Sequence, residues 1–432
     1  MKAMNGFVGL LGKRARLVGC CTLAMLVLGG LASAVPAGAV EPPPVKTYLA
    51  LGDSLAFGYT AVKKAENFPN EVPSYFEEGY ADFYAKKLRG NTEATNKGLI
   101  LVNNGCPGET SGGLTGNLAT NRYGKKEVKC FWQTVLPMHN PYIGHTQLED
   151  AIGILTTKNP ITATTPAHPV EVISLNIGGN DELEGVSLCE REVKEEFEHV
   201  WSHEAMVDEN STVMKAVSGY EGVRVGAKIF GQGVPTGTTV EKLSNAEEVG
   251  KTLTMSKAAT ETTGLTEYKF AGTSQYGSTP EGALNGCLIA HLTELEEKIG
   301  GNVELAGGAI RSTGPTGGKY AGPLLVLNGY NPNAELLKGS DGLVAFINGA
   351  IKRATEKVGG TYVNVFKTFN PQGNETKEQA TICKYTEMCN PVAVSIHEAE
   401  VGKPLPATDG DIHPSKVGAE TISKLMYELV KA

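Results

Sequence analysis

Ser54, Gly108, Asn180 and His413 are the residues whose types and settings can do chemistry together. Ser54 follows the run Thr47-Tyr48-Leu49-Ala50-Leu51, which Gly52-Asp53 stops. The run is largely β-branched, aromatic or aliphatic and reads as a buried strand. In an open parallel sheet, ligands bind outside the carboxyl end of such a strand. A serine there can open a helix, whose first N–H groups are free to hold an anion. Ser54 is thus a candidate for both nucleophile and oxyanion donor. The same Asp53-Ser54 pair also suits a plain helix cap. Gly108 and Asn180 follow two further apolar runs, Leu99–Asn103 and Val170–Ile177, in the same way. Serine acyl transfer needs a base within hydrogen-bond reach and donors aimed at the oxygen that becomes negative. The Ser54 N–H, the Gly108 N–H and the Asn180 amide can supply three such donors. Each is worth about 3 kcal/mol in the transition state. His413, near the C-terminus, is the fourth element.

Five apolar runs must position these groups: Val45–Leu51, Leu99–Asn103, Val170–Ile177, Pro323–Leu327 and Tyr362–Phe366. Helical spacing separates them, at Tyr80–Leu88, Gln147–Leu155, Gly282–Ile299 and residues 341–357. Strands alternating with helices predict a parallel α/β/α sandwich. Residues 56–79, polar and aromatic, read as a loop over the site. An acidic helix runs from about Leu183 to Ala205, and Asp409–Ser415 opens the last helix.

The character changes near Met206. Residues 211–270 lose helical periodicity and are rich in Thr, Val and Gly. Short alternating strands with Gly and Pro turns predict a small β module. Lying between Cys189 and Cys287, it reads as an insert, whose two ends must be close at the host surface. The expected division is a signal segment at 1–39, a first part of the host domain at 40–205, the β-rich module at 206–275 and a second part of the host at 276–432.

The chain has 432 residues, 41% hydrophobic and 20% charged, a globular composition with room for a large core. Lys13, Arg14 and Arg16 precede the apolar run Leu17–Leu31, with small-residue sites at Ala32-Ser33-Ala34 and Ala37-Gly38-Ala39. That is the pattern of a cleavable secretory signal. Its loss takes the net charge from −8 to −12. So acidic a chain is a poor electrostatic partner for nucleic acid. Six cysteines follow the signal: Cys106, Cys130, Cys189, Cys287, Cys383 and Cys389. An even count in an exported chain favours disulfides. Order along the chain suggests 106–130, 189–287 and 383–389.

Gly52-Asp53-Ser54-Leu55, Gly108-Glu109-Thr110, Gly179-Asn180-Asp181 and His413-Pro414 resemble, in order, the four signature blocks of the SGNH (GDSL-type) hydrolases. Asn104–Ser111, Gly144–Leu148 and the cysteine pattern look most like exported actinobacterial GDSL lipases and esterases. The resemblance covers Lys46–Asp181 and about Gly282–Ala432, and leaves out the insert. It implies a flavodoxin-like sheet of order 2-1-3-4-5. It also implies Ser54 as nucleophile, His413 as base, and Ser54, Gly108 and Asn180 as oxyanion donors. The G-x-S-x-G elbow of α/β-hydrolases is absent around Ser54. One departure stands out. The family's acid usually precedes its histidine by three residues, and here that residue is Gly410. Asp411 is taken as the acid, with Asp409 and a backbone carbonyl near Gly410 as alternatives. Asp53 and Asp181 read as caps and loop ties.

Other candidates carry less. His199 and His203 have metal-ligand spacing for a helix, but no third ligand is evident, so no metal is expected. His145, His291 and His397 read as surface or packing residues. Phe131 and Trp132 suit either an acyl pocket or loop packing. The expected activity is secreted carboxylic ester hydrolysis without a cofactor, on a small-molecule or lipid ester. In an enzyme, the insert either shapes substrate access or binds cell-wall polysaccharide; one alternative is a surface binding or adhesive protein that uses the hydrolase fold as its scaffold. A second is polysaccharide deacetylation.

Overall fold

Alternate residues of the first strand, β1 (Lys46–Gly52), enter two different cores. Tyr48 and Ala50 pack with Ala81, Tyr84, Ile422 and Met426 on one side of the sheet. Leu49 and Leu51 pack with Leu148, Ala151, Ile299 and Ile347 on the other. A strand covered on both faces must be apolar at successive positions, and this one is. The computed structural model describes residues 46–90, 98–134, 137–156, 169–216, 219–244, 251–314, 317–334, 339–371 and 375–431. The expected signal segment lies outside these residues.

The other strands of this sheet are β2 (Leu99–Asn103), β3 (Val170–Asn176), β4 (Leu324–Leu327) and β5 (Thr361–Val363). All pairings are parallel, in the order β2-β1-β3-β4-β5. The three-layer sandwich with a doubly wound sheet is therefore as expected. Helices Tyr80–Leu88 and Lys416–Lys431 cover one face; helices Gln147–Leu155, Pro280–Ser312 and Ser340–Lys357 cover the other. Thr146 and Glu149 close a capping box on Gln147–Leu155, which fixes where that helix starts.

Several local expectations are corrected. The acidic helix spans Gly179–Glu198 and stops short of Ala205. Trp201–Val207 is instead a strand, because its exposure alternates with period two and ends on buried Ala205 and Val207. His199 and His203 therefore do not share a helix face. His199 packs on Trp201, with ring centroids 4.2 Å apart, and His203 Nε2 lies 2.9 Å from the Glu221 carbonyl. Residues 56–79 hold the helix Ala61–Asn67, capped by Thr60, and a 3₁₀ turn at Pro73–Phe76. Asp411–Pro414 is a strand, antiparallel to Thr386–Glu387, and the last helix starts only at Lys416.

Six strands between Trp201 and Ala271 form an antiparallel sheet with its own core of Met214, Leu253, Met255, Tyr268 and Phe270. The edge strands Lys228–Phe230 and Val240–Leu243 are joined by bonds from Gly226 N to Val240 O (2.7 Å) and from Ile229 N to Thr238 O (2.9 Å). The two ends of the sheet thus meet and the sheet curls round its core, in the manner of a small barrel. Disulfides join Cys106–Cys130, Cys189–Cys287 and Cys383–Cys389, as chain order suggested. Cys189–Cys287 ties the host helices on either side of the barrel, with Cα atoms 5.7 Å apart. Among the described residues, no helix is long and apolar enough to cross a membrane.

Candidate active site

The site begins where β1 stops. Gly52 has φ +145°, and a Cβ there would collide with the Asn176 carbonyl of β3. Only glycine lets the two strand ends approach this closely. Gln147 braces the turn, accepting from Gly52 N at 2.8 Å and donating to Gly52 O at 2.7 Å. Asp53 is the N-cap of a one-turn helix, Ser54–Phe57, and its Oδ1 accepts from Leu55 N at 2.9 Å. Burial pushes its carboxyl up to about 7, despite that bond and the nearby His413. Ser54 is thus the first helical residue, buried, with its N–H unbonded among the described residues.

The strand Asp411–Pro414 carries the next two groups. Tyr330 anchors it by donating to the Ile412 carbonyl at 2.5 Å. His413 Nε2 lies 2.8 Å from Ser54 Oγ, and His413 Nδ1 lies 2.5 Å from Asp411 Oδ1. Asp411 Oδ2 also accepts from Ala61 N at 2.7 Å. Burial raises the Asp411 carboxyl, but His413 and these hydrogen bonds outweigh it and hold the group below the ordinary carboxylate range. Asp411 is therefore the ionised partner of the imidazole in this geometry. Asp409 lies elsewhere: its carbonyl is 2.9 Å from Nδ1 of His397. Tyr59 closes one side, its ring edge-on to His413 at 4.9 Å between centroids.

Gly108 and Asn180 sit at the ends of the neighbouring strands. Cys106 N donates to Gly52 O at 3.0 Å and docks the β2 turn on β1. Gly108 turns the chain with φ +76°, its N–H unbonded among the described residues, and Trp132 packs beside it. Asn180 Nδ2 donates to the Glu109 carbonyl at 2.9 Å, which fixes the amide and leaves its second hydrogen available. Asp181 is a loop tie, accepting from Ser111 N at 2.8 Å and Ser111 Oγ at 3.0 Å and pairing with Lys298 at 3.0 Å.

The cavity beside Ser54, about 120 Å³, is lined by Leu183, Val186, Tyr330, Val344 and Ile412, along with polar groups. Phe131 and Trp132 are not among its lining residues. Sequence reasoning gave no role to Gln147, Glu109 or Glu182. Glu109 is buried beside Gly108, held by Gln147 Nε2 at 3.2 Å, and burial pushes it up to about 8. Its place directly after Gly108 was the one available signal.

No family model matches the chain, and no curated protein matches it. Among solved structures, it is similar to the extracellular lipase of Streptomyces rimosus at 12% identity and a TM-score of 0.37, over 89% of this chain and 99% of that one. The phospholipase A1 of Streptomyces albidoflavus shows 11% identity and a TM-score of 0.40, over 90% of this chain and all of the other. The chain is also similar to the aryl esterase of M. smegmatis at 9% identity and a TM-score of 0.35, over 90% of this chain and 99% of that one.

Proposed function

We propose that this chain is a secreted serine ester hydrolase that cleaves carboxylic esters through an acyl-enzyme on Ser54. The observation that carries the reading is the unbroken hydrogen-bonded series from Asp411 through His413 to Ser54 Oγ. Ser54 Oγ attacks the ester carbonyl while His413 Nε2 takes its proton. Asp411 holds the imidazole in the tautomer that presents Nε2 as acceptor and stabilises the imidazolium. The carbonyl oxygen becomes negative among the Ser54 N–H, the Gly108 N–H and the Asn180 amide. The C–O bond to the alcohol breaks and His413 returns the proton to the leaving oxygen. Water, deprotonated by the same nitrogen, then attacks the acyl-enzyme, and the acid leaves as Ser54 regains its proton. In this reading Ser54, His413 and Asp411 act with no metal or cofactor.

In this reading residues 40–200 and 275–432 form the catalytic body and residues 201–274 a module carried on it, its first strand starting at Trp201, ahead of the expected boundary at 206. The signal-like segment at 1–39 and the three disulfides support export. Small-molecule and lipid esters are the substrate class. A fluorophosphonate probe tests the nucleophile. Mass spectrometry should find the adduct on the peptide holding Ser54, and none in His413→Ala. Labelling elsewhere, or none in a folded sample, would remove the reading.

A further inference from the structure

Glu182 stands one turn into the helix that carries Asn180, and it lines the cavity beside Ser54. Its carboxyl lies near Gly329, another lining residue, with Oε1 3.8 Å from where a Cβ of residue 329 would sit. Gly329 donates its own backbone N–H to Asn348 at 3.0 Å, and its C=O accepts from Asn348 at 2.9 Å, so it has no N–H left to donate to Glu182. Among the described residues the Glu182 carboxyl has no hydrogen-bond partner. Asn176, which lines the same cavity, holds its Oδ1 buried and without a hydrogen-bond partner among the described residues.

An apolar chain filling this cavity would contact Leu183, Val186 and Val344 favourably. It would also strip solvent from Glu182 and return nothing, which is costly for a buried polar group. A chain bearing a hydroxyl at the depth of the carboxyl gains both contacts. Burial, with Asp181 next to it in sequence, pushes the carboxyl up to about 8, so at neutral pH it is largely neutral and can both donate and accept.

We propose that Glu182 is a specificity-determining residue, selecting esters whose cavity-bound part carries a hydroxyl group. The proposal rests on the ester hydrolase reading of the same site, and it names the substrate class: hydroxyacyl esters or esters of polyols. Sites built to hydrogen-bond a substrate hydroxyl discriminate strongly against analogues without it, because their own polar groups are then left unpaired.

The test uses inert amides, so that binding is read apart from turnover. N-methylbutyramide is compared with N-methyl-3-hydroxybutyramide for the acyl side. N-propylacetamide is compared with N-(2,3-dihydroxypropyl)acetamide for the alcohol side. Each is titrated into the full secreted chain by NMR. In one pair the hydroxylated amide should bind about ten-fold more tightly. That advantage should vanish in Glu182→Leu, or in Glu182→Met if the leucine variant does not fold, and persist in Glu182→Gln. Equal or weaker binding of the hydroxylated amide in both pairs overturns the proposal, as does a preference unchanged in the apolar variants. Failure of the hydrolase reading would appear separately, as absent ester turnover.

Discussion

Asp411 and His413 stand two residues apart on one strand, and their side chains meet, with Oδ1 2.5 Å from Nδ1. Residues i and i+2 of a strand project from the same face. The pairing therefore follows from the local conformation and needs no third residue between. The Ala61 N–H, at the start of the helix Ala61–Asn67, holds the other carboxylate oxygen.

Asp411→Asn is expected to lower kcat by about 10²- to 10⁴-fold, since the imidazole loses the partner that sets its tautomer. Asp409→Asn, which alters a side chain near His397, should leave kcat within about two-fold of the parent. Steady-state kinetics on a nitrophenyl ester checks both. The reverse ranking would place the acid at 409.

How much of this was legible in the sequence depended on the range of the interaction. β1, β2 and the helix Tyr80–Leu88 carry their own periodicity, and their spans could be read directly. The choice between Asp409 and Asp411 could not, because it turns on Asp411–Pro414 being a strand. That strand exists by pairing with Thr386–Glu387, a contact between short segments that leave no pattern in composition. The end of the acidic helix at Glu198 is hidden in the sequence, because its charge run masks the change from period 3.6 to period two at Trp201. Glu182 precedes the acidic helix expected from about Leu183 and carries no signal of its own in the sequence. Only the folded chain brings it beside Gly329 and Ser54.

Asn180→Ala should lower kcat by about 10²- to 10³-fold with little change in KM, the mark of an interaction made in the transition state. A rise in KM with kcat preserved would instead make Asn180 a ground-state binding group.

The buried Glu109 gives stability a definite pH slope. In the folded chain its carboxyl keeps its proton up to about 8, whereas unfolded it releases the proton near the ordinary value of 4.5. Between these values the native state binds more protons, so this group's contribution falls as pH rises. Asp53 and Glu182 act in the same sense. Asp411 acts oppositely: its contribution is present above the ordinary carboxylate value and is lost as pH falls through its lowered one. Thermal melts should give a Tm that declines from about pH 5 to about pH 8, with a shallower decline in Glu109→Gln. An unchanged slope in that variant would remove Glu109 as a cause.

Among the described residues, none of the barrel lines the cavity beside Ser54. Replacing residues 201–274 by a short Gly-Ser link is expected to leave turnover of small esters within about three-fold, because Cys189–Cys287 already holds the joined helices together. Loss of small-ester turnover in a folded sample would give the barrel a part in forming the site.

The most direct test of the central claim is hydrolysis of p-nitrophenyl acetate, butyrate and palmitate by the chain alongside Ser54→Ala. Turnover of at least one ester that falls by about 10³-fold or more in the variant is the predicted result. Turnover that survives unchanged in Ser54→Ala would contradict the assignment of Ser54 as nucleophile.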